Sequence, residues 1–399
     1  MAVIVIAGGG IGGLATALAV AAGGHRAVVL ERADRFAEIG AGIQLAPNGL
    51  DALDALGVGA EVRGSAVHMD ELRFMDGVTG EHVTSLELTA DYRRRFAGPY
   101  VVVHRAELHQ VLLDACLAAE SVDLVAGATV TGYEQDERGA TVALADGRRI
   151  TGAAVIGADG IHSAIRRQLV ADGEPRVSGI TVYRAVIPME RVPDRLRFAR
   201  SVVWWAGPGC HFVHYPIAGG RYLNLAASSD DGSTEAFAGV PVRKERVRRE
   251  FTALGAAPRE LLELGDDWKT WMLVDRDPVL QWTEGRVALL GDAAHPMLHY
   301  AAQGACQALE DAVVLGALLE GTTNSAIPGR LTAYVRLRRE RTARIQRIAR
   351  DSTRLWHPAG AAATARNAML AALSPEQLRD HVAWMHGFRV AQPGKEVAA

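Results

Sequence analysis

Only three cysteines occur in the 399 residues, Cys116, Cys210 and Cys306, scattered and in no C-x-x-C pair. That pattern excludes a disulfide framework or a zinc ribbon and points to a reducing compartment, with no metal centre expected. Lysine is as scarce: Lys244, Lys269 and Lys395 are the whole set. The formal net charge is −3, so nothing electrostatic calls for a nucleic acid or an anionic membrane as partner. No apolar run approaches the ~18–20 residues of a membrane span. The apolar opening Met1–Ile6 has no basic start and no cleavage site, and therefore does not read as a signal peptide. The expectation is a cytoplasmic protein, a monomer or homodimer, with two domains as the default for this length.

What the chain does have is glycine, 42 of them, and they are not evenly spread. Val3-Ile-Val-Ile6 is a short β-branched run of the kind buried on both faces of a parallel sheet. Gly8-Gly-Gly10-Ile-Gly12-Gly13 follows, then a helical stretch Leu14–Ala22, a second apolar run Ala27–Leu30, and Glu31-Arg32. Gly8, Gly10 and Gly13 fit G-x-G-x-x-G. The first glycine makes a tight turn, the second admits a pyrophosphate to the backbone and helix N-terminus, and the third lets helix and strand pack closely. An acid such as Glu31 at the end of the second strand suits ribose hydroxyls. Gly8, Gly10, Gly12, Gly13, Glu31 and Arg32 are therefore candidate dinucleotide-binding residues, with NAD and FAD both open at this point.

A second small-residue stretch, Gly291–Ala312, follows the apolar run Val287-Ala-Leu-Leu290 and carries Asp292, His295, His299 and Gln303. A flat ligand lying against the backbone would account for it. Between these regions, Ile180–Met189, Phe198–Trp205, Cys210–Ile217 and Arg221–Ser228 read as successive strands separated by turns such as Gly207-Pro-Gly209, spaced for an antiparallel sheet. In Cys210–Pro216, alternation puts His211, Val213 and Tyr215 on one face and Phe212 and His214 on the other. Parity does not say which face meets a ligand.

Four further stretches resemble one family. Gly157-Ala-Asp159-Gly160-Ile-His-Ser163 with Arg166-Arg167 is similar to the second dinucleotide motif of flavoprotein monooxygenases, and Gly291-Asp292 to their third. His104-Arg105 resembles the segment whose arginine reaches the FAD pyrophosphate, and Gly40-Ala-Gly42-Ile-Gln44 the loop beside the isoalloxazine. Together they span residues 3 to about 320 in the family's order, and the chain is identified as a member of the single-component class A aromatic hydroxylases. The resemblance implies an α/β fold: a Rossmann-like FAD-binding domain (1–70, 100–178 and 276–325), an inserted antiparallel-sheet substrate domain (71–99 and 179–275) and C-terminal helices (326–399). It implies FAD held also by Gln44, Arg105, Asp159, Asp292, Gly304 and Ala305, with the helix begun by Ala302-Gln303-Gly304-Ala305 abutting the flavin ring.

By the same resemblance the partners are NADH or NADPH docking transiently, O2, and a small phenolic aromatic acid. The pattern is nearest to the 3-hydroxybenzoate 6-hydroxylases, in which a histidine and a tyrosine four residues apart contact the phenol; His211 and Tyr215 match them. His299 stands where many relatives carry proline, which implies an additional titratable group in the pocket. A base with pKa near neutrality would help make the ring electron-rich, and His211, with His299, is the candidate. The alternatives are a decarboxylating salicylate 1-hydroxylase and, further off, a non-hydroxylating FAD oxidoreductase. A halogenase-type lysine has no candidate in a pocket motif. Four features read as non-catalytic: Glu310 and Asp311 as surface or interdomain acids, Arg336–Arg350 as a solvated helix face, His295 as structural or cofactor-side, and the Trp204-Trp205 pair as packing. Tyr100 reads as a pocket residue or a core aromatic.

Overall fold

Strand Val3–Ala7, helix Ile11–Ala22 and strand Arg26–Leu30 form the βαβ unit that the first thirty residues specify, the two strands pairing in parallel. The structure is a computed structural model, and it describes residues 1–37 and 42–390. Gly40 and Ala41 of the loop expected beside the isoalloxazine lie outside the described residues.

The parallel sheet runs in the order Thr283–Glu284, Val287–Leu289, Ala154–Gly157, Val3–Ala7, Arg26–Leu30, Val122–Val125. Only the short edge hairpin Thr283–Glu284 is antiparallel. Ile4, Val5 and Ile6 are fully buried, as a strand covered on both faces must be. Helix Gly304–Leu319 packs along Ile11–Ala22. It begins at Gly304 rather than Ala302, because Ala302 adopts a left-handed backbone (φ 50°) that turns the chain into the helix.

The second sheet has eight strands: Val240–Pro241, Lys269–Asp275, Arg176–Pro188, Tyr222–Asp230, Cys210–Ile217, Ser201–Gly207, Glu71–Asp76 and His82–Glu87. All neighbours pair antiparallel except Ser201–Gly207 with Glu71–Asp76. Its outer face is covered by helices Lys244–Glu250 and Ala256–Glu263 and holds a separate core of Trp205, Phe212, Leu225, Phe251 and Trp268. Its inner face looks toward the parallel sheet. A three-stranded sheet, Gly42–Leu45, Val101–His104 and Val67–His68, lies between them.

After this come the helices Ile327–Asp351, Thr353–Trp356, Gly360–Ala371 and Pro375–His386. The long first helix corrects the expectation of a solvated arginine face. Arg338 is fully buried and paired with Glu310 at 2.6 Å and Asp311 at 2.7 Å. Arg341 joins Glu310 at 2.8 Å and reaches the carbonyls of Trp384 and Met385. Glu310 and Asp311 are likewise fully buried, so the surface reading of those acids is overturned too. Burial alone would raise their carboxyl pKa values; Arg338, with Arg341 at Glu310 and His295 at Asp311, holds both below the usual range. Sequence spacing could not reveal this, because charges on one helix face look solvated until a second helix supplies the opposite charge.

Candidate active site

Between the two sheets lies a cavity of about 980 Å³. That is at the upper end of ligand pockets, about 300–1,000 Å³, and suits a large ligand better than a metabolite alone. One end is the glycine turn. Gly8 has φ 107°, and a Cβ there would stand 2.3 Å from the Ala158 carbonyl oxygen; a Cβ on Gly13 would stand 1.9 Å from the Gly8 carbonyl oxygen. Only glycine fits either position, and the turn presents bare backbone to the cavity where helix Ile11–Ala22 begins. Gly8, Gly10 and Gly12 line this end, as do Glu31, Arg32, Arg105 and Asp159; Gly13 is the buried packing contact beneath it.

The Glu31 carboxylate accepts from the backbone N–H of Gly9 at 2.8 Å and of Ala33 at 2.9 Å, which fixes it at the rim. Asp159 accepts from Ala164 N–H at 2.8 Å through one oxygen. Its other oxygen is buried without a protein partner among the described residues, and burial raises the carboxyl's pKa. Arg105 stands at the first turn of helix Arg105–Ala118, and Asp292 in the turn after Val287–Leu289.

The middle of the cavity is lined by Gln44, Leu290, Gly291, Ala302, Gly304 and Ala305. The first turn of helix Gly304–Leu319 has no side-chain cap, so its N–H groups and positive dipole end face the cavity. Gln303 is buried beside it. Its Oε1 accepts from Asn48 at 2.9 Å and Gln307 at 3.0 Å, while its Nε2 has no partner among the described residues. Backbone approachable at the glycine turn, buried polar atoms without protein partners, and donors aimed from two helix N-termini together suit an elongated, polar-edged dinucleotide with a flat ring. FAD fits that description. Tyr100, fully inside the core, lies behind this wall and donates to Gln44 Oε1 at 2.6 Å; it is a core aromatic that orients a lining residue.

The far end is roofed by the eight-stranded sheet. His211, Val213 and Tyr215 face the cavity, and His214 faces the outer core, where neither ring nitrogen has a partner among the described residues and burial pushes its pKa down to about 3. Trp204 also lines the cavity, so only Trp205 of the pair is purely packing. Tyr215 donates its hydroxyl to the Gly42 carbonyl at 2.9 Å, which leaves the oxygen as an acceptor toward a ligand; burial raises its pKa to about 12.

His211 Nδ1 lies 3.0 Å from His357 Nε2, which leaves Nε2 of His211 as the nitrogen available to a ligand. The rings of His299 and Tyr300 stand 5.9 and 5.0 Å away, centroid to centroid. Two expectations change here. Burial, then His299 and His357, push the His211 pKa well below the ordinary value, so it is not a base poised at neutrality. Burial, then Arg184 and His357, bring His299 to about 3, so it adds no group that titrates near neutral pH. His295 is structural: its Nε2 meets Asp311 at 2.6 Å.

Three residues of this end escape the sequence reading. His357 and Trp356 follow the long arginine-rich helix, with no periodicity to aim them at a site. Arg184 sits mid-strand, and only the alternation of Arg176–Pro188 hints at its facing.

A family model described as an FAD binding domain matches residues 1–351. The chain is 46% identical over 385 residues to 3-hydroxybenzoate 6-hydroxylase 1 of Aquipseudomonas alcaligenes, covering 96% of this chain and 97% of that one. It is 41% identical over 387 residues to 3-hydroxybenzoate 6-hydroxylase of Polaromonas naphthalenivorans, covering 97% and 96%. Among solved structures, Klebsiella pneumoniae HpxO complexed with FAD and uric acid superposes with a TM-score of 0.84 at 27% identity, over 96% of each chain.

Proposed function

The chain belongs to the FAD binding domain family and is a flavin-dependent aromatic monooxygenase, and from that premise we propose that its reaction is the 6-hydroxylation of 3-hydroxybenzoate to gentisate. The balance is 3-hydroxybenzoate + O2 + NAD(P)H + H⁺ giving gentisate + H2O + NAD(P)⁺. The observation that carries the choice of substrate is the roof. His211 and Tyr215 share the cavity face of one strand, beside a dinucleotide cradle, in a chain 46% identical to a protein named for that reaction.

In this reading Gly8, Gly10 and Gly12 receive the FAD pyrophosphate with Arg105, Gly13 packs the helix against the turn beneath them, and Glu31 and Arg32 take the adenosine side. Asp159 and Asp292 hold the polar linker, and Gln44, Gly304 and Ala305 the ring. Bound FAD, reduced by NADH or NADPH, supplies the activation of O2 that no side chain can. The catalytic unit at the far end of the cavity is His211 and Tyr215 on the roof and His299 facing them. Residues 1–70, 100–178 and 276–325 serve the cofactor, 71–99 and 179–275 the substrate, and the remainder braces both.

The protein's own work is done around the phenol. Neutral His211 accepts the phenolic O–H through Nε2. As oxygen transfer withdraws electrons from the ring, that proton becomes acidic and passes to His211, and His357 on the Nδ1 side shares the positive charge. The phenol oxygen thus donates electron density into the ring without a strong base being required beforehand. Tyr215 and His299 bound the substrate plane, and the sheet above it limits the access of water.

The experiment is a product assay with the three isomeric monohydroxybenzoates, following NAD(P)H oxidation and product by chromatography. Gentisate from 3-hydroxybenzoate is the expected result. Catechol from salicylate as the main activity would favour the decarboxylating alternative, and peroxide without any hydroxylated product would favour a non-hydroxylating oxidoreductase.

A further inference from the structure

Four cavity-lining residues form a straight row across the roof: Arg184 pairs with Ala226, Ala226 with Val213, and Val213 with Trp204. The middle two are small, which leaves room for a ring over them. His211 stands two positions along the strand from Val213, on the same face. With neighbouring strands about 4.8 Å apart, Arg184 and Val213 are separated by roughly 10 Å of backbone, a span that the long arginine side chain shortens.

Arg184 lacks what satisfies the chain's buried arginines: Arg286 is held by the carbonyls of Glu137, Ala153 and Asn324, and others by carboxylates. Arg338 is ion-paired to Glu310 and Asp311, and both Arg166 and Arg276 to Asp172. Arg184 has no carboxylate partner among the described residues, and its buried Nε makes no hydrogen bond there. The Trp271 ring, 5.6 Å from the guanidinium carbon, steadies it without neutralising it. A guanidinium does not escape burial by losing its proton, so one set in a cavity wall with neither a carbonyl nor a carboxylate partner among the described residues suits an anion. Arg105, the cation of the dinucleotide end, opposes it further.

We propose that Arg184 is the carboxylate anchor of the substrate pocket, pairing with the acid group of an aromatic acid while His211 receives the phenolic hydroxyl across the Ala226–Val213 floor. The proposal rests on the reaction assigned above and adds the residue that makes the site select an anion. It also explains how a pocket end lined by the neutral His211 and His299 admits a charged substrate.

The test uses the FAD-loaded enzyme and reads binding by the perturbation of flavin absorbance, with 3-hydroxybenzoate and the uncharged 3-hydroxybenzamide as probes. Replacing Arg184→Met should weaken the acid by about 10- to 100-fold, the range for a charge-assisted hydrogen bond, and the amide by much less. Arg184→Lys should recover part of the loss, and neither variant should lose FAD or thermal stability, since no partner inside the protein is orphaned. Unchanged acid affinity in Arg184→Met, an equal fall for acid and amide, or a proportional loss of FAD would each overturn the anchor. If the wild type hydroxylates a different monohydroxybenzoate, the acid-to-amide ratio measured with that acid and its amide decides on Arg184, so the two readings fail separately.

Discussion

His211 shows how burial changes the role a residue can play. A histidine near its ordinary pKa would titrate between pH 6 and 7, and the sequence gives no reason to expect otherwise. Inside the cavity it has no carboxylate beside it among the described residues and sits against His299 and His357, so the neutral form persists through the physiological range. Substrate binding should therefore be flat from about pH 8 down to pH 6. The folding equilibrium should not be. His214, His299 and His386 are held at about 3 by burial, and in the unfolded chain each returns to ~6.5. Below that value the unfolded chain takes up protons that the folded one refuses, so the melting temperature should fall as pH drops from about 7 to 5. A binding curve with an inflection near pH 6.5, or a melting temperature that rises on mild acidification, would contradict this account of the roof.

The strand Cys210–Ile217 carries the same logic at the level of an element. Alternation sorted its side chains into two sets, but the sheet is buried on both faces, so neither set announced itself as the ligand face. What decides is the covering: helices Lys244–Glu250 and Ala256–Glu263 over Phe212, and a cavity under His211. His211→Ala should cost 10²–10⁴ in hydroxylation, the usual range for a lost proton acceptor, with FAD retained and wasteful NAD(P)H oxidation persisting. His214→Leu should leave hydroxylation near the wild-type rate, because its unpartnered nitrogens face only the outer core. The reverse pattern would mean the strand is inverted. Long helices were less legible than strands. In Ile327–Asp351 the arginines look alike in sequence, and only the packing against Gly304–Leu319 separates buried Arg338 from its solvated neighbours.

Across the whole molecule, the parts readable from sequence are those where backbone geometry dictates residue type. The glycine turn at Gly8–Gly13, the β-branched strands and the small-residue stretch after Leu290 each leave few alternatives, and the cradle they form could be read residue by residue. Arg184, Trp356 and His357 could not, because they meet only when two sheets and a C-terminal helix close on one cavity, and no local rule links positions so far apart in the chain. The two sheets form one device: a cradle for FAD facing a roof over a phenolic acid. Its most direct test is mass spectrometry of the product formed by the purified enzyme from 3-hydroxybenzoate and NAD(P)H under oxygen-18-labelled O2. The expected product is gentisate carrying a single labelled oxygen, formed in proportion to the nicotinamide oxidised. Unlabelled gentisate, or nicotinamide oxidation that yields only peroxide with every monohydroxybenzoate, would contradict it.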